Sequence, residues 1–495
     1  MSRLLRQVTT SVADWGVSGR QAPELNGSTG RVACLENLEL LLSPLRGEFD
    51  FFLPGTATAA ELVAHSVPAE RIRWLTPRRR ARSFLNDWTV VNQSDLTEQL
   101  HRAGISRLVP SYRSSARLER WARAEGISLL SPSWRLQQLL ENKVAFDATL
   151  RAWGLPAPRH CVLGSPADAW SVPWFPCVLQ VARGEGSAGT FLVRSRDELR
   201  ELLQDVPFRY PLLVRELISG PAYGVTIVVG SQDLLVSAIR AQTTDLAHPE
   251  EGFLATQWCR RNHFSRRLLD TMARVFGATG SALQAIGFRG AAGLDFMVDG
   301  DRVLIIECNP RFTAATPQLS LVPPLLHELH FPVEYVRAVT GERLAAHRPF
   351  VPDSGYEGAC VDFSAWAVPH VLELNRRRVF AMPRIGVYDF RAATLRFVSE
   401  DLATLCDDSR LLFHYSSRLG SRIGPRTDLG SLVSNFPVFD FSSGAARLMP
   451  SSERLLETLL GEVLARPTSR RSGQLALPLP PVMDPPTLRL AGLAG

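Results

Sequence analysis

Lysine is nearly absent from this chain of 495 residues, although 55 of its residues are basic. Lys143 is the only lysine, so arginine supplies the other fixed positive charges of the side chains. A lysine kept in such a background suggests a position that requires a compact ammonium group on a flexible stem. Chance is the alternative interpretation of this residue.

Cysteine pairs and long apolar runs are missing as well. The seven cysteines lie far apart and form no C-x-x-C motif, which argues against a disulfide framework and a zinc site and favours a reducing cytoplasm. No apolar run approaches the ~20 residues that span a bilayer, and residues 1–21 lack the apolar centre of a signal peptide. We therefore expect a cytoplasmic protein without a membrane partner.

A large excess of charge of one sign is also absent. The 55 basic and 49 acidic residues give a net charge of +6, which is too small to indicate a nucleic-acid partner. Short basic runs such as Arg78–Arg80 are typical of a solvated surface. The length predicts about two to four domains.

Strands and helices are predicted to alternate in the first part of the chain. Short apolar runs separated by helical stretches between about residues 31 and 132 predict a parallel sheet covered by helices. A helix is predicted to begin at Ser133 and to end at Gly154. Lys143 falls on this helix.

A hairpin between residues 292 and 311 is the most informative segment. The turn Asp299-Gly300-Asp301-Arg302 pairs Asp295 with Glu307, whose Cβ atoms then lie roughly 4.5–5.5 Å apart on one face. Two like charges repel each other there unless a cation lies between them. Asn309 follows on the same face, so the three side chains offer the oxygen ligands that suit Mg²⁺ bound with nucleotide phosphates. A polar edge hairpin facing water is the alternative.

A glycine-rich loop, Gly184-Glu185-Gly186-Ser187-Ala188-Gly189, matches the pattern G-x-G-x-x-G. A dinucleotide-binding fold requires this loop to open a helix, whereas the following Thr190–Val193 is predicted to be a strand. The loop is therefore predicted to join two strands and to offer backbone N–H groups to phosphates. An ordinary glycine turn is the alternative. A Walker-type loop is excluded, because it requires Gly-Lys-Ser/Thr and the only lysine follows Asn142.

These segments occur in the order and at about the spacing found in the ATP-grasp superfamily, which the chain resembles from Asn142 to Thr316. Asn142-Lys143 followed by Gly154–Pro158 is similar to the opening motif of that family. Asp295, Glu307 and Asn309-Pro310-Arg311 are similar to its metal-binding hairpin. The resemblance implies an α/β ATP-grasp fold with an N-terminal parallel-sheet domain and a C-terminal α+β extension.

The resemblance also implies a set of site residues. Asp295, Glu307 and Asn309 correspond to metal ligands, and Arg311 corresponds to a catalytic arginine that stabilises the transferring phosphoryl group. The implied cofactors are ATP and Mg²⁺, with Mn²⁺ as a second divalent ion of suitable chemistry. The implied ATP-binding residues are Lys143, Gln180, Arg183, Gly184, Gly186, Gly189, Glu216 and Ile218.

Two positions depart from the pattern of the family. Gln180 stands where a second phosphate-binding lysine is usual, and Arg183 in the following loop is the nearest residue that could replace its charge. Ala222 stands where an acidic residue often contacts the ribose. Both departures bear on activity more than on the fold.

The activity implied by the resemblance is that of an ATP-dependent ligase that forms a carbon–nitrogen bond. A substrate carboxylate attacks the γ-phosphate of ATP, and an amine then displaces phosphate from the acyl phosphate to give an amide, with ADP as the other product. The expected partners are small-molecule carboxylate and amine substrates, such as an amino acid or a peptide of specialised metabolism, and a homodimer is one expected assembly.

Two alternative functions remain open from the sequence. The first is a carboxylase of the biotin-dependent type that activates bicarbonate; its carrier would be a separate chain, because Lys143 lies in the nucleotide domain. The second is a degenerate ATP-binding module without catalysis. The departures from the family pattern at Gln180 and Ala222 favour this alternative.

Four segments are predicted along the chain. Residues 1–132 form an N-terminal pre-ATP-grasp α/β domain, and residues 133–345 form the ATP-grasp domain that binds nucleotide and metal. Residues 346–465 form a strand-rich C-terminal domain in which the sequence offers no motif. The proline-rich residues 466–495 are predicted to be a disordered tail.

Overall fold

The computed structural model of the chain describes residues 32–35, 49–54, 69–75, 93–110, 113–184, 186–244, 253–260, 263–313, 315–322, 330–345, 350, 355–373, 379–381, 384–392, 394–415, 422–424, 427, 429–441 and 446–465. The predicted tail at 466–495 and the basic run Arg78–Arg80 lie outside the described residues, as does Glu185 of the glycine loop.

The N-terminal region contains the parallel sheet that the sequence predicts. Its strands pair in the order β3-β2-β1-β4-β5, and every pair is parallel. Ser115 begins the second of the accompanying helices, because its side chain accepts a hydrogen bond from the backbone N–H of Leu118. The elements are β1 (Val32–Leu35), β2 (Phe49–Pro54), β3 (Ile72–Leu75), α1 (Gln93–Arg102), β4 (Arg107–Val109), α2 (Ala116–Ala124) and β5 (Ser128–Leu129), with a 3-10 turn at Ala69–Arg71.

The single helix predicted between Ser133 and Gly154 is wrong in one respect, since the structure contains two helices. Helix α3 spans Trp134–Glu141 and helix α4 spans Lys143–Ala152. Asn142 between them is extended (φ −77°, ψ 108°), and its side chain accepts a hydrogen bond from the N–H of Ala145. Asparagine side chains bond to nearby backbone groups and so favour caps over helix interiors. Lys143 is consequently the first residue of α4.

A small antiparallel sheet follows α4. Its strands pair in the order β6-β9-β7-β8, and β7 and β8 flank the glycine loop. The inner face is filled by apolar side chains, among them Leu179, Val193 and Leu212, all of which are fully buried. The elements are β6 (His160–Leu163), a 3-10 turn (Pro166–Ser171), β7 (Cys177–Val181), β8 (Thr190–Val193), α5 (Arg196–Asp205) and β9 (Leu212–Glu216).

A second, larger antiparallel sheet carries the predicted metal hairpin. Its first strands pair in the order β15-β14-β10-β12-β13, and β11 pairs with β10. Helix α6 covers one face of this sheet, with Met272, Phe276 and Leu283 buried in a shared core with Phe296. The elements are β10 (Ala222–Val229), β11 (Leu234–Val236), β12 (Arg240–Thr244), β13 (Phe253–Trp258), α6 (Arg266–Ala285), β14 (Gly290–Asp299) and β15 (Arg302–Asn309).

The large sheet continues into the C-terminal region. Strand β13 pairs with β16, and the order proceeds through β21, β20 and β18 to β19, so the sheet runs without a break past residue 345. The elements are α7 (Thr316–Leu321), α8 (Phe331–Thr340), β16 (Ala359–Asp362), α9 (Phe363–Glu373), β17 (Val379–Phe380), β18 (Gly386–Arg391), β19 (Thr394–Ser399), a 3-10 turn (Leu402–Thr404), β20 (Arg410–His414), β21 (Ser431–Ser434), β22 (Phe439–Asp440), β23 (Arg447–Leu448), α10 (Pro450–Val463) and β24 (Leu464–Ala465).

The architecture is therefore α/β, with one parallel and several antiparallel sheets, as predicted. None of the helices that the structure describes combines the length and the apolar character that a bilayer crossing requires.

Candidate active site

The hairpin formed by β14 and β15 has the predicted register. Asp295 pairs with Glu307, and Gly293 pairs with Asn309, so the two carboxylates and the amide lie on one face. The turn reverses at Gly300, whose φ of 59° lies in the left-handed region that glycine adopts readily. The turn alone, which pairs Asp299 with Arg302, would place Asp295 opposite Ile306. A register shift between Asp295 and Phe296 places Glu307 there instead.

The environment of Asp295 opposes its negative charge. Burial, followed by the neighbouring charge of Glu307, raises the pKa of this carboxyl to about 6. Arg240, a hydrogen bond from Gln242 and Lys143 act in the opposite direction, in that order. The Asp295 carboxylate therefore lies where a further cation would be strongly favoured.

The lone lysine contacts the acidic pair directly. Its Nζ lies 2.9 Å from Glu307 Oε1 and donates to the carbonyl oxygen of Gly184 at 3.1 Å. The side chain is only 6% exposed. The ammonium group of Lys143 thus joins the acidic hairpin to the glycine loop. It also relieves part of the carboxylate repulsion that the sequence interpretation assigned to a metal alone.

Two side chains and the backbone carbonyl of Phe312 accept hydrogen bonds from Arg311 beside the hairpin. Its Nε donates to Glu141 Oε1 at 2.6 Å, and its Nη2 donates to Asn309 Oδ1 at 3.1 Å. Asn309 Nδ2 donates in turn to Asp295 Oδ2 at 3.2 Å. Because a guanidinium group only donates, the oxygen of Asn309 faces Arg311 here. The amide would have to turn over for this oxygen to contact a metal at the carboxylates.

Sequence reasoning missed two polar residues of strand β12 that contact Asp295 or lie close to it. Gln242 Nε2 donates to Asp295 Oδ1 at 2.6 Å. Arg240 is only 2% exposed, and its Nη1 donates to Thr226 Oγ1 at 3.2 Å. The sequence does contain a signal for them, because residues 240 and 242 are two positions apart in a strand and their side chains therefore share one face.

Gly224 lets Asp295 and Arg240 pack closely against the backbone of β10. It pairs with Arg240 on one side and with Asp295 on the other. A Cβ atom placed on Gly224 would lie 3.0 Å from Asp295 Oδ1 and 3.1 Å from Arg240 Cζ. Any larger residue would therefore push against the carboxylate and the guanidinium group.

The site fits Mg²⁺ that is bound together with nucleotide phosphates. Such an ion is usually held by one or two carboxylates, with phosphate and water oxygens completing the octahedron. Asp295 and Glu307 supply the two carboxylates. No cluster of three or more histidine, cysteine, aspartate or glutamate side chains forms a complete metal cage among the residues that the structure describes.

The glycine loop joins two antiparallel strands, as predicted. Gln180 at the end of β7 pairs with Thr190 at the start of β8, which excludes the helix-opening loop of a dinucleotide fold. Gly186 and Gly189 have φ values of 55° and 76°. A Cβ atom on Gly184 would lie 2.0 Å from the carbonyl oxygen of Ala188, so this position requires glycine.

Two other predicted ATP-binding side chains make contacts within the protein. The guanidinium group of Arg183 donates to the side-chain oxygen of Gln138 on α3 and is exposed. Glu216 accepts hydrogen bonds from Arg159, at 2.8 Å from the backbone N and at 2.6 Å from Nε. Burial raises the pKa of Glu216, but these hydrogen bonds outweigh burial and lower it overall. Ile218 is almost fully buried just after β9.

Arg215 is a buried residue that sequence reasoning also missed. Its Nη1 donates to Gln180 Oε1 at 3.0 Å, and its Nη2 donates to Asp147 Oδ1 at 2.7 Å. Gln180 Nε2 lies 3.3 Å from Thr190 Oγ1. The position that lacks the expected lysine therefore has an arginine immediately beside it.

Comparisons with known proteins agree with this architecture. The model of the ATP-grasp domain family matches residues 140–315. A curated relative, the arginine-specific large chain of carbamoyl phosphate synthase from Bacillus subtilis, is 21% identical over 203 residues, which is 40% of this chain and 19% of that protein. The chain thus spans about a fifth of the length of the relatives that it matches.

Solved structures show the same fold. The biotin carboxylase domain dimer of Hydrogenobacter thermophilus 2-oxoglutarate carboxylase, in complex with MgADP, ADP and bicarbonate, matches with a TM-score of 0.53 and 14% identity, covering 82% of this chain and 86% of that one. The ADP complex of N5-carboxyaminoimidazole ribonucleotide synthetase matches with a TM-score of 0.51 and 11% identity, covering 87% and 96%. Residues 140–315 therefore form an ATP-grasp domain, as the motifs indicated.

Proposed function

We propose that this protein is an ATP-dependent carboxylate–amine ligase that forms an amide or peptide bond through an acyl phosphate and releases ADP. The observation that carries the proposal is the pairing of Asp295 with Glu307 beside the only lysine of the chain. Two adjacent carboxylates and a buried ammonium group in an ATP-grasp domain are suited to a metal–nucleotide complex.

The proposed roles follow from the contacts of each side chain. Asp295, Glu307 and Asn309 would hold Mg²⁺ or Mn²⁺, which when bound neutralises charge on the phosphates. Lys143 would contact a phosphate, because its ammonium group lies between Glu307 and the carbonyl oxygen of Gly184 in the glycine loop. Arg311 would stabilise negative charge on the transferring phosphoryl group from the end of the same hairpin.

We assign the remaining ATP-binding residues to the same nucleotide site. Backbone N–H groups at Gly184, Gly186 and Gly189 would cover the phosphates, with Gln180 and Arg183 next to them. Glu216 and Ile218 would contact the adenine ring. We further propose a cytoplasmic protein that acts on an amino acid or peptide and assembles as a homodimer, the state described for the carboxylase domain above.

The decisive experiment is an ATP-consumption screen with pooled amino acids and peptides, in which new amides are detected by mass. We expect ADP and phosphate in a one-to-one ratio with an amide. Stoichiometric pyrophosphate and AMP would reject the acyl-phosphate route. A parallel arm with bicarbonate and free biotin tests the carboxylase alternative, and tight ATP binding without turnover in both arms would favour a degenerate binding module.

A further inference from the structure

The polar network around Gln180 begins on one face of the small sheet. Gln180 on β7 pairs with Leu213, which places Arg215 on β9 as its diagonal neighbour on the same face. His160 on β6 pairs directly with Arg215. Three strands therefore bring a histidine, an arginine and a glutamine side by side, although they are distant in the sequence.

Asp147 anchors Arg215 from helix α4. Its Oδ1 accepts from Arg215 Nε at 3.1 Å and from Nη2 at 2.7 Å, and both side chains are almost completely buried. Its Oδ2 contacts His160 Nδ1. Asp147 lies four residues after Lys143, so the two charged side chains lie on the same face of α4. The ion pair is therefore fixed to the same helix that carries the lysine of the proposed phosphate site.

The chemistry of the side chains determines which atoms donate and which accept in this network. Arg151 Nη2 lies within hydrogen-bond distance of both ring nitrogens of His160, and the Nδ1 of that ring contacts Asp147 Oδ2. Arg215 can only donate, and Asp147 occupies its Nε and Nη2. Its Nη1 therefore requires an acceptor, and the only acceptor atom of the Gln180 side chain is Oε1, at 3.0 Å.

This contact determines which way the amide of Gln180 faces. With Oε1 held by Arg215, Nε2 points to Thr190, where the glycine loop ends. An amide nitrogen carries two N–H donors, and the contact with Thr190 Oγ1 uses one of them. Without Arg215, the amide could turn over and present an acceptor oxygen, which would repel a phosphate.

We propose that Arg215 is a positioning residue that replaces the missing strand lysine indirectly, by fixing the amide of Gln180 so that its nitrogen donates to a phosphate of bound ATP. The inference rests on the proposed function and deepens it. The positive charge at this end of the sheet lies on Arg215 of β9, where Asp147 compensates it. Phosphate binding at this position then depends on which atom of the Gln180 amide, the nitrogen or the oxygen, faces the phosphate.

The test uses Gln180→Glu, which retains the shape of the side chain and its contact with Arg215. Glutamate can accept from Arg215, so the fold should keep its thermal midpoint. It has no N–H to donate, and its charge opposes a phosphate. We expect the affinity for Mg-ATP to fall by at least about 30-fold and the affinity for adenosine, measured by competition, to change less than about 2-fold.

A second variant tests the positioning role itself. Arg215→Lys keeps the charge, but one ammonium group cannot reproduce the fixed fork that bridges Asp147 and Gln180. We expect Mg-ATP to bind about 3- to 10-fold more weakly, again with little change for adenosine. The matched control is Arg200→Lys on α5, which alters an exposed arginine that contacts Asp197 and should leave both affinities unchanged.

Each outcome supports or rejects the inference. Equal weakening of Mg-ATP and adenosine binding in Gln180→Glu, or no weakening, would overturn it, because neither fits a phosphate contact. If Arg215→Lys does not fold, the Gln180→Glu result decides alone. Wild-type protein that binds Mg-ATP but ligates nothing would reject the proposed ligase and leave this inference intact. Wild-type protein that does not bind Mg-ATP would reject both.

Discussion

The hairpin of β14 and β15 and the small sheet of β6 to β9 differ in the kind of polar group that each would offer to the phosphates of ATP under the proposed function. The hairpin presents two carboxylates and therefore requires cations, of which Lys143 and Arg240 are part of the protein. The small sheet presents a neutral amide whose direction is set by a compensated ion pair. Phosphate binding at the hairpin should therefore depend on the balance of charges, and phosphate binding at the small sheet should depend on the direction of a hydrogen bond.

The largest effect should come from removing either carboxylate of the hairpin. We expect Glu307→Gln and Asp295→Asn each to reduce turnover roughly 10³-fold or more, because a bound metal contributes several kcal/mol of charge stabilisation in such reactions. An ADP-release assay with the true substrate measures this loss. The control is Asp301→Asn in the exposed turn, whose only described ion pair is a surface contact with Arg267.

The same two variants should differ in stability without ligand. Burial and Glu307 oppose the charge of Asp295, so Asp295→Asn should melt at or above the wild-type temperature. Glu307→Gln removes the carboxylate that lies 2.9 Å from the buried Lys143, so we expect it to lose about 1–3 kcal/mol. Thermal melts in chelator check this contrast. A strongly destabilised Asp295→Asn that still turns over ATP would show that the pair is structural.

The second effect concerns Lys143, which joins the two regions. We expect Lys143→Ala to weaken Mg-ATP binding about 10- to 100-fold, the size of a lost charge-assisted hydrogen bond. Lys143→Arg should recover only part of the affinity, because a planar guanidinium group fits poorly between Glu307 and the Gly184 carbonyl. Calorimetric titration distinguishes the variants, and unchanged affinity in the alanine variant would make the lone lysine a compositional accident.

The contrast also explains what the sequence could predict. Local turn chemistry was sufficient to predict the hairpin. The antiparallel strands around the glycine loop were predicted for the same reason. The pairing of Asp295 with Glu307 also requires a register shift beside Phe296, which the sequence does not mark. The break at Asn142 was missed, because the apolar periodicity continues across it and only the capping preference of asparagine marks it.

The residues around Gln180 could not be predicted in this way. Arg215, Asp147 and His160 meet only because three strands and a helix from different parts of the chain pack together. Nearness in the sequence therefore points to Arg183 as the substitute cation. In the structure it contacts Gln138, and Arg215 is the arginine beside Gln180.

The third prediction concerns how Arg311 is held. Glu141 Oε1 accepts from Arg311 Nε at 2.6 Å and from Arg113 Nε at 2.9 Å, so one carboxylate holds both arginines. We expect Glu141→Gln to reduce kcat about 10-fold with little change in Mg-ATP affinity, because Arg311 loses its alignment but not its charge. Steady-state kinetics checks this, and an effect on KM for ATP alone would contradict a role in phosphoryl transfer.

The smallest effect should come from replacing Arg183. This variant tests whether the arginine nearest to Gln180 in the sequence matters less than Arg215, which contacts Gln180 in the structure. The guanidinium group of Arg183 is exposed and contacts Gln138, so it must leave that partner before it can reach a phosphate. An exposed side chain also loses conformational entropy when it is fixed, and surface ion pairs contribute only ~0–1 kcal/mol. We expect Arg183→Ala to weaken Mg-ATP binding no more than about 3-fold, well below the loss in Gln180→Glu. If the order is reversed, the loop arginine supplies the missing cation, and the ion pair of Asp147 with Arg215 serves the fold alone.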